Sequence, residues 1–303
     1  MNLKKSSKTS SGLKKAGTRI LNAVIHGIFP PICVLCKNFF HPPGDNDCLS
    51  GSFDQMIPPG TSPENISYDA VMSQFLCPEC CSKSCLPVKS PVCSKCGIMF
   101  KSREGGDHMC GRCIKSPPGF GIARSFGIYD GLFKEVIHAF KYRRKIQLGK
   151  PLGILLFCTF IKHWDPKDAD IILPVPLHLK KLRQRTFNQT FLLIKDWHKI
   201  AEKLNTDISG IEIKRGILKK IRHTDPLAGM NTKERMTNVK NSFLVRSPLK
   251  IKDKRIILVD DVLTTGATAG ECIKVLMDSG AGSVDILTLG RTMKKKFKGL
   301  FQP

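Results

Sequence analysis

Acidic residues are scarce in this chain: 25 Asp and Glu stand against 49 Lys and Arg, a formal net charge of +24 over 303 residues. A surface that basic attracts polyanions, meaning nucleic acid, phosphorylated ligands or an anionic membrane, although a Lys-rich solubilising surface would have the same composition. Long apolar runs are also missing. No segment approaches the roughly 20 apolar residues that a bilayer span requires, and the longest, residues 154–161, has the length of a core helix. Lys4, Lys5, Lys8, Lys14 and Lys15 precede an apolar stretch at 20–29, but Asn22 and His26 interrupt it and no small-residue cleavage site follows, so no secretory signal is expected. Aromatic residues are thin where charge is densest: Lys141-Tyr142-Arg143-Arg144-Lys145 contains one, a weak basis for base stacking. No motif for recognising a nucleobase emerges.

Cysteine is plentiful. Eight of the thirteen form four Cys-x-x-Cys pairs, Cys33/Cys36, Cys77/Cys80, Cys93/Cys96 and Cys110/Cys113, which is metal-knuckle spacing and not a disulfide framework. A reducing cytoplasm fits this use of thiols, with association at the inner face of the membrane left open. Each pair sets two thiolates on one tight turn, and two such turns complete a closed tetrahedral Zn2+ site of structural type. Sequential pairing predicts one set from Cys33, Cys36, Cys77 and Cys80 and a second from Cys93, Cys96, Cys110 and Cys113. For the first set Cys81 and Cys85 compete, Cys48 is a stray, and His41 and His108 are substitute ligands. A site with no open position argues for scaffolding or docking over metal catalysis. Cys158 and Cys272 fall in helical apolar patterns and are expected in the core.

The chain divides by composition. Residues 1–29 read as a basic, disordered tail ending in a short helix, and 30–118 as the Cys-rich region with a Pro-, Gly- and Ser-containing insertion near 41–70. Ser116-Pro117-Pro118-Gly119 is a linker, 119–293 an α/β domain, and 294–303 a basic tail. Within the domain, strands are predicted at 122–129, 170–176, 217–220, 255–259 and 284–289. Helices are predicted at 132–140, 148–163, from about 190 to 204, and 268–278. The segment 177–189 reads as a basic loop carrying Arg183, Arg185, Asn188 and Gln189, suited to a pyrophosphate or a nucleic-acid backbone. Residues 223–230 read as a polar loop able to close over a ligand.

The most informative stretch is Ile256-Ile257-Leu258-Val259-Asp260-Asp261-Val262-Leu263-Thr264-Thr265-Gly266-Ala267-Thr268. A buried strand leads into two carboxylates and a hydroxyl- and glycine-rich turn that opens a helix. Free N–H groups at a helix start cradle an anion, helped by Gly266 letting the backbone approach and by the hydroxyls of Thr264, Thr265 and Thr268. The carboxylates would repel that anion, so they face another part of the ligand, such as vicinal hydroxyls. Residues of this kind support an anion site at the carboxyl end of a parallel strand.

The stretch closely resembles the phosphoribosyl-diphosphate (PRPP) motif of type I phosphoribosyltransferases. That resemblance implies ribose contact by Asp260 and Asp261 and 5′-phosphate contact by Thr264, Thr265, Gly266, Ala267 and Thr268, with Mg2+ accompanying PRPP. Over residues 30–292 the chain is similar to ComF family proteins. The likeness is carried in order by the Cys-x-x-Cys knuckles, the Cys-Gly-Arg-Cys to Pro-Pro junction, Ile137-His138-Ala139-Phe140-Lys141-Tyr142, Leu173-Pro174-Val175-Pro176-Leu177, Arg183, Arg185, Phe187-Asn188-Gln189, Thr224, Arg235, Asn238-Val239 and the PRPP-type motif. It implies a zinc ribbon joined to a type I phosphoribosyltransferase-like parallel sheet flanked by helices. It further implies a part in DNA uptake and natural transformation, with single-stranded DNA and a competence motor ATPase as partners. An active phosphoribosyltransferase acting on a small base or amine is the alternative. The family pattern has Gly where this chain has Thr186, and Gln at Leu227.

Overall fold

The computed structural model describes residues 30–42, 53–102, 104–224 and 230–293. The expected tails at 1–29 and 294–303, Cys48, and most of the polar loop, including Leu227, lie outside them. The strands are β1 (Ala123–Ile128), β2 (Ile171–Pro174), β3 (Glu212–Ile213), β4 (Leu218–Lys220), β5 (Phe243–Val245), β6 (Arg255–Leu263) and β7 (Ser283–Arg291). Five of them form a parallel sheet in the order β1-β7-β6-β2-β3, and β4 and β5 form a separate antiparallel pair. The parallel α/β class is as expected.

The sheet is parallel because both of its faces are covered, which is why its central strands are runs of Ile, Leu and Val. Side chains alternate across the central strand: Ile257 and Val259 enter one core with Val136, Ile137 and Phe157, while Ile256 and Leu258 enter another with Cys272, Ile273 and Leu276. The first face is covered by the helices Gly131–Tyr142 and Gly149–His163, the second by the helix Ala267–Asp278. Cys272 is fully buried, while Cys158 packs at the edge of the first core.

The Cys-rich region is not set apart from this body. Short helices Phe53–Met56, Tyr68–Met72 and Pro78–Ser84, and Leu76 between the last two, put Met56, Tyr68, Val71, Met72, Leu76, Cys80 and Cys81 into the same core as Phe133 and Phe140. Tyr68 stacks on Phe126 and meets Phe133 edge-on, and its hydroxyl accepts a hydrogen bond from Ser84 at 2.8 Å. The described part of the insertion therefore supplies a covering layer.

Three readings of the sequence change. The strand leading to the carboxylates runs to Leu263, four residues past its expected end, because pairing with β7 continues through Asp260↔Thr288, Val262↔Gly290 and Leu263↔Arg291. The basic segment after β2 is a helix, Leu179–Arg185, with no buried residue, so no apolar period announced it. The helix expected to run to 204 is two helices, Gln189–Ile194 and Trp197–Lys203.

Candidate functional site

Parallel strands bring the loops that follow them to one edge. The turn after β6, the basic helix after β2 and the end of β7 all emerge there, and the helix Gly131–Tyr142 follows β1 at the same edge. Gly266 sits at φ +82°, a left-handed position that glycine fills without strain, and it caps the 12-residue helix Ala267–Asp278. The turn is held from several sides. Arg235 of the helix Thr232–Val239 donates Nη1 to Thr264 Oγ1 at 3.0 Å, Arg291 donates Nη1 to the carbonyls of Leu263 and Thr264 at 2.9 and 2.8 Å, and Arg112 donates Nη2 to the Thr265 carbonyl at 3.1 Å.

Asp260 and Asp261 occupy successive strand positions and so face opposite sides of the sheet. Asp261 shares its face with Ile257 and Val259, and there Lys141 Nζ meets its Oδ1 at 2.7 Å, the two side chains being 13% and 12% exposed. Burial works against the Lys141 charge, but the Asp261 carboxylate outweighs it and holds the ammonium above its usual range. Asp260 faces Cys272 and Lys220 across the other side. Burial, reinforced by the Asp261 charge and opposed by Lys141, pushes the Asp260 carboxyl up to about 7. Lys220 donates Nζ to Thr224 Oγ1 at 2.8 Å and lies over the Phe243 ring; burial first, then Lys181, brings it down to about 8.

The other expected contacts divide. Arg183 is exposed, and Arg185 stacks its guanidinium over the Tyr142 ring at 4.7 Å. Thr186, where the family pattern has Gly, ends that helix at φ +67°, which explains the preference for Gly at the position. Asn188 caps the next helix through Thr190 N–H and reaches the Val175 carbonyl. Gln189 is 1% exposed with its Nε2 directed to the Lys141 carbonyl at 3.4 Å, so a nucleic-acid contact would require it to leave that bond. Sequence reasoning did not give site roles to Lys141, Lys220, Arg112, Arg235 or Arg291. Lys141, Arg112 and Arg235 stood in stretches quoted for the family likeness and Lys220 in the strand before the polar loop, whereas Arg291 carried no signal.

The cysteines gather as two groups, Cys33, Cys36, Cys77 and Cys80, and Cys93, Cys96, Cys110 and Cys113, each with its sulfurs within 4.8 Å of one another. Sequential pairing is thus the arrangement observed. Cys36 and Cys77 sulfurs lie 3.7 Å apart and those of Cys96 and Cys110 3.9 Å, matching the edge of about 3.8 Å of a tetrahedron with Zn–S bonds near 2.3 Å. In the second knuckle the Cys96 and Cys110 N–H groups donate to Cys93 Sγ at 3.4 and 3.3 Å. Burial disfavours the Cys93 thiolate, yet these donors outweigh it and bring the thiol down to about 6. Cys81 turns instead to Asp69 Oδ1, and His108 stacks on Phe100 with Nδ1 at the Gly106 carbonyl, so neither joins a group.

No family model matches the chain. Curated relatives include Competence protein F of Haemophilus influenzae, 29% identical over 218 residues, 70% of this chain and 90% of that one. DNA utilization protein YhgH of Escherichia coli K12 is 27% identical over 217 residues, 70% and 89%, and Competence protein ComFC of Streptococcus pneumoniae 25% over 217 residues, 67% and 88%. Among solved structures, a hypoxanthine phosphoribosyltransferase of Staphylococcus aureus aligns at 14% identity over 54% of this chain and 76% of that one, with a TM-score of 0.25. The curated relatives bear out the resemblance to the ComF family. Among the described residues no helix is long and apolar enough to cross a membrane.

Proposed function

We propose that this chain acts in DNA uptake or utilisation and holds PRPP, or another phosphoribosyl group, at the carboxyl edge of its sheet. In this reading the free N–H groups of the turn and the hydroxyls of Thr264, Thr265 and Thr268 surround the 5′-phosphate. Asp260 and Asp261 take the ribose side with Mg2+ bound alongside, and Arg183 and Arg185 approach a pyrophosphate or a DNA backbone. The observation that carries the reading is the turn itself, a left-handed Gly266 opening a helix while three arginines fix its outward-facing groups. Names of the curated relatives support the cellular role. Zn2+, when bound, cross-links each cysteine group as a structural site. The ribbon is then free to dock DNA or a motor ATPase.

Calorimetry with PRPP and Mg2+ tests the pocket. Wild-type protein should bind, and the Asp260→Asn, Asp261→Asn double variant should not while keeping its unfolding transition; equal binding by both removes the ribose assignment. Affinity for single-stranded DNA should fall steeply with salt, because each neutralised phosphate releases counterions, and a flat salt profile would count against a basic binding surface. Pyrophosphate release in the presence of a panel of bases separates a transferase from a binding module.

A further inference from the structure

We propose that Arg112 and Arg291 make the second cysteine knuckle a brace for the phosphate cradle, so that metal in that knuckle and a phosphoribosyl ligand in the cradle stabilise one another. The ligand half of this statement rests on the PRPP reading above; the brace does not.

The geometry begins with the peptide plane. Within a trans peptide the C=O and the following N–H point in opposite directions, so a carbonyl held outward aims the next amide inward. Arg291 holds the carbonyl of Thr264, which orients the Thr265 amide, and Arg112 holds the carbonyl of Thr265, which orients the Gly266 amide. These are amides a bound phosphate would use. The two arginines therefore act as positioning residues, fixing donors that they do not themselves supply.

Both arginines are tied to the knuckle. Arg112 stands between Cys110 and Cys113 in the short helix Gly111–Lys115, so its place depends on that turn being closed. Arg291 is 5% exposed, and among the described residues no carboxylate pairs with it and its Nε has no hydrogen-bond partner. Its strand is carried on the knuckle: β1 pairs with β7 through Ile128↔Arg291, and at the other end of β1 the Ala123 N–H donates to the carbonyl of Lys95, between Cys93 and Cys96, at 2.8 Å. Four thiolates around one Zn2+ carry a net double negative charge, which supplies the counter-charge that a buried guanidinium requires. Losing the metal opens the turn that carries Arg112 and loosens the loop on which β1 and, through it, Arg291 rest, and the carbonyls of the cradle are then released. Linkage is reciprocal: whatever factor metal adds to phosphoribosyl affinity, the ligand adds to metal affinity, with coupled sites commonly linked by about 5- to 150-fold.

The test uses the full chain, loaded with zinc, and the exposed substitution Arg112→Ala, with Arg291→Lys as a second variant. Hydrogen exchange is followed first without ligand over residues 263–270, where Ala267 N–H meets Thr265 Oγ1 and Gly270 N–H meets the Gly266 carbonyl. Exchange there should quicken about tenfold in Arg112→Ala while β1 and the zinc content stay as in wild type. Unchanged exchange in both variants overturns the brace. Zinc release to a chromogenic chelator is then timed with and without PRPP. PRPP should slow release from wild type at least fivefold and from Arg112→Ala much less; equal slowing, or none from a wild type that binds PRPP, overturns the coupling. A wild type that does not bind PRPP, with faster exchange in the variant, removes the ligand reading and leaves the brace standing.

Discussion

Replacing Lys141 with Met tests the charge balance of the site most directly. The variant keeps most of the aliphatic stem, so the packing loss is small, but it removes the only cation within 4.0 Å of the Asp261 carboxylate among the described residues. At 2.7 Å and an effective dielectric of about 20 the Coulomb attraction is roughly 6 kcal/mol. Desolvation of two groups at 13% and 12% exposure consumes part of it. Removing one partner of such a pair leaves the other buried and uncompensated, and the expected loss of stability is about 3–5 kcal/mol. Lys141 also holds down the Asp260 carboxyl, which burial and the Asp261 charge have pushed from 3.8 to about 7. Without Lys141 that carboxyl rises further. A carboxyl with a raised folded pKa keeps its proton where the unfolded chain has released it, so stability falls as pH rises between the two values. The deficit of Lys141→Met should therefore grow between pH 6 and pH 8. Urea unfolding followed by the fluorescence of Trp164 and Trp197, both buried, measures it. Adding Asp261→Asn should restore most of the loss. A deficit under about 1 kcal/mol, or a double variant no better than the single, would refute the reasoning.

Two further substitutions probe the backbone. Thr186→Gly should raise stability by about 0.5–1 kcal/mol in the same assay, since a side chain at φ +67° costs roughly 1–2 kcal/mol and glycine's greater chain entropy offsets part of the gain; a loss would mean that the Thr186 hydroxyl bond to the Arg185 carbonyl dominates. Gly97→Ala should destabilise by at least about 2 kcal/mol, because a Cβ there would lie 2.4 Å from the Ala123 carbonyl oxygen at φ +66°. Metal analysis of that variant should show the second knuckle depleted, and full zinc occupancy with wild-type stability would contradict the close approach.

The cysteine groups were legible because each pair is four residues long and its chemistry is local, and the cradle was legible because strand, turn and helix are contiguous in the chain. Its supports were not. Arg112 and Thr265 are 153 residues apart, and nothing in the pattern around Cys110-Gly111-Arg112-Cys113 indicates a carbonyl across the fold. That the two carboxylates leave opposite faces of the strand follows from β7 extending the ladder beyond Val259, a register no single segment contains. The basic helix after β2 was read as a loop for a related reason: a helix that buries nothing carries no apolar period, while its Leu, Lys, Arg and Gln residues favour helix without marking its ends.

Charge around the turn supports an anionic ligand more sharply than the overall charge of the chain does. Asp261 already has Lys141, and Asp260, its carboxyl pushed up to about 7, is about half protonated at neutral pH, so the acidic pair presents less negative charge than its sequence suggests. Among the described residues, Lys220 and Arg235 on the covering elements are paired with hydroxyls of Thr224 and Thr264 and not with carboxylates. Lys220 reports on the ligand. Burial, then Lys181, holds its ammonium down to about 8, so at pH 8 about half of it is neutral. A phosphate or pyrophosphate brought near would favour the charged form and raise that value. Binding at pH 8 should therefore take up a fraction of a proton that is absent at pH 6.5, where Lys220 is already charged. Calorimetric titration of PRPP in buffers of different ionisation enthalpy reads the uptake directly, and Lys220→Met should abolish it. Equal proton uptake in wild type and Lys220→Met would place the ligand away from Lys220, and with it away from the face of the sheet that Asp260 shares.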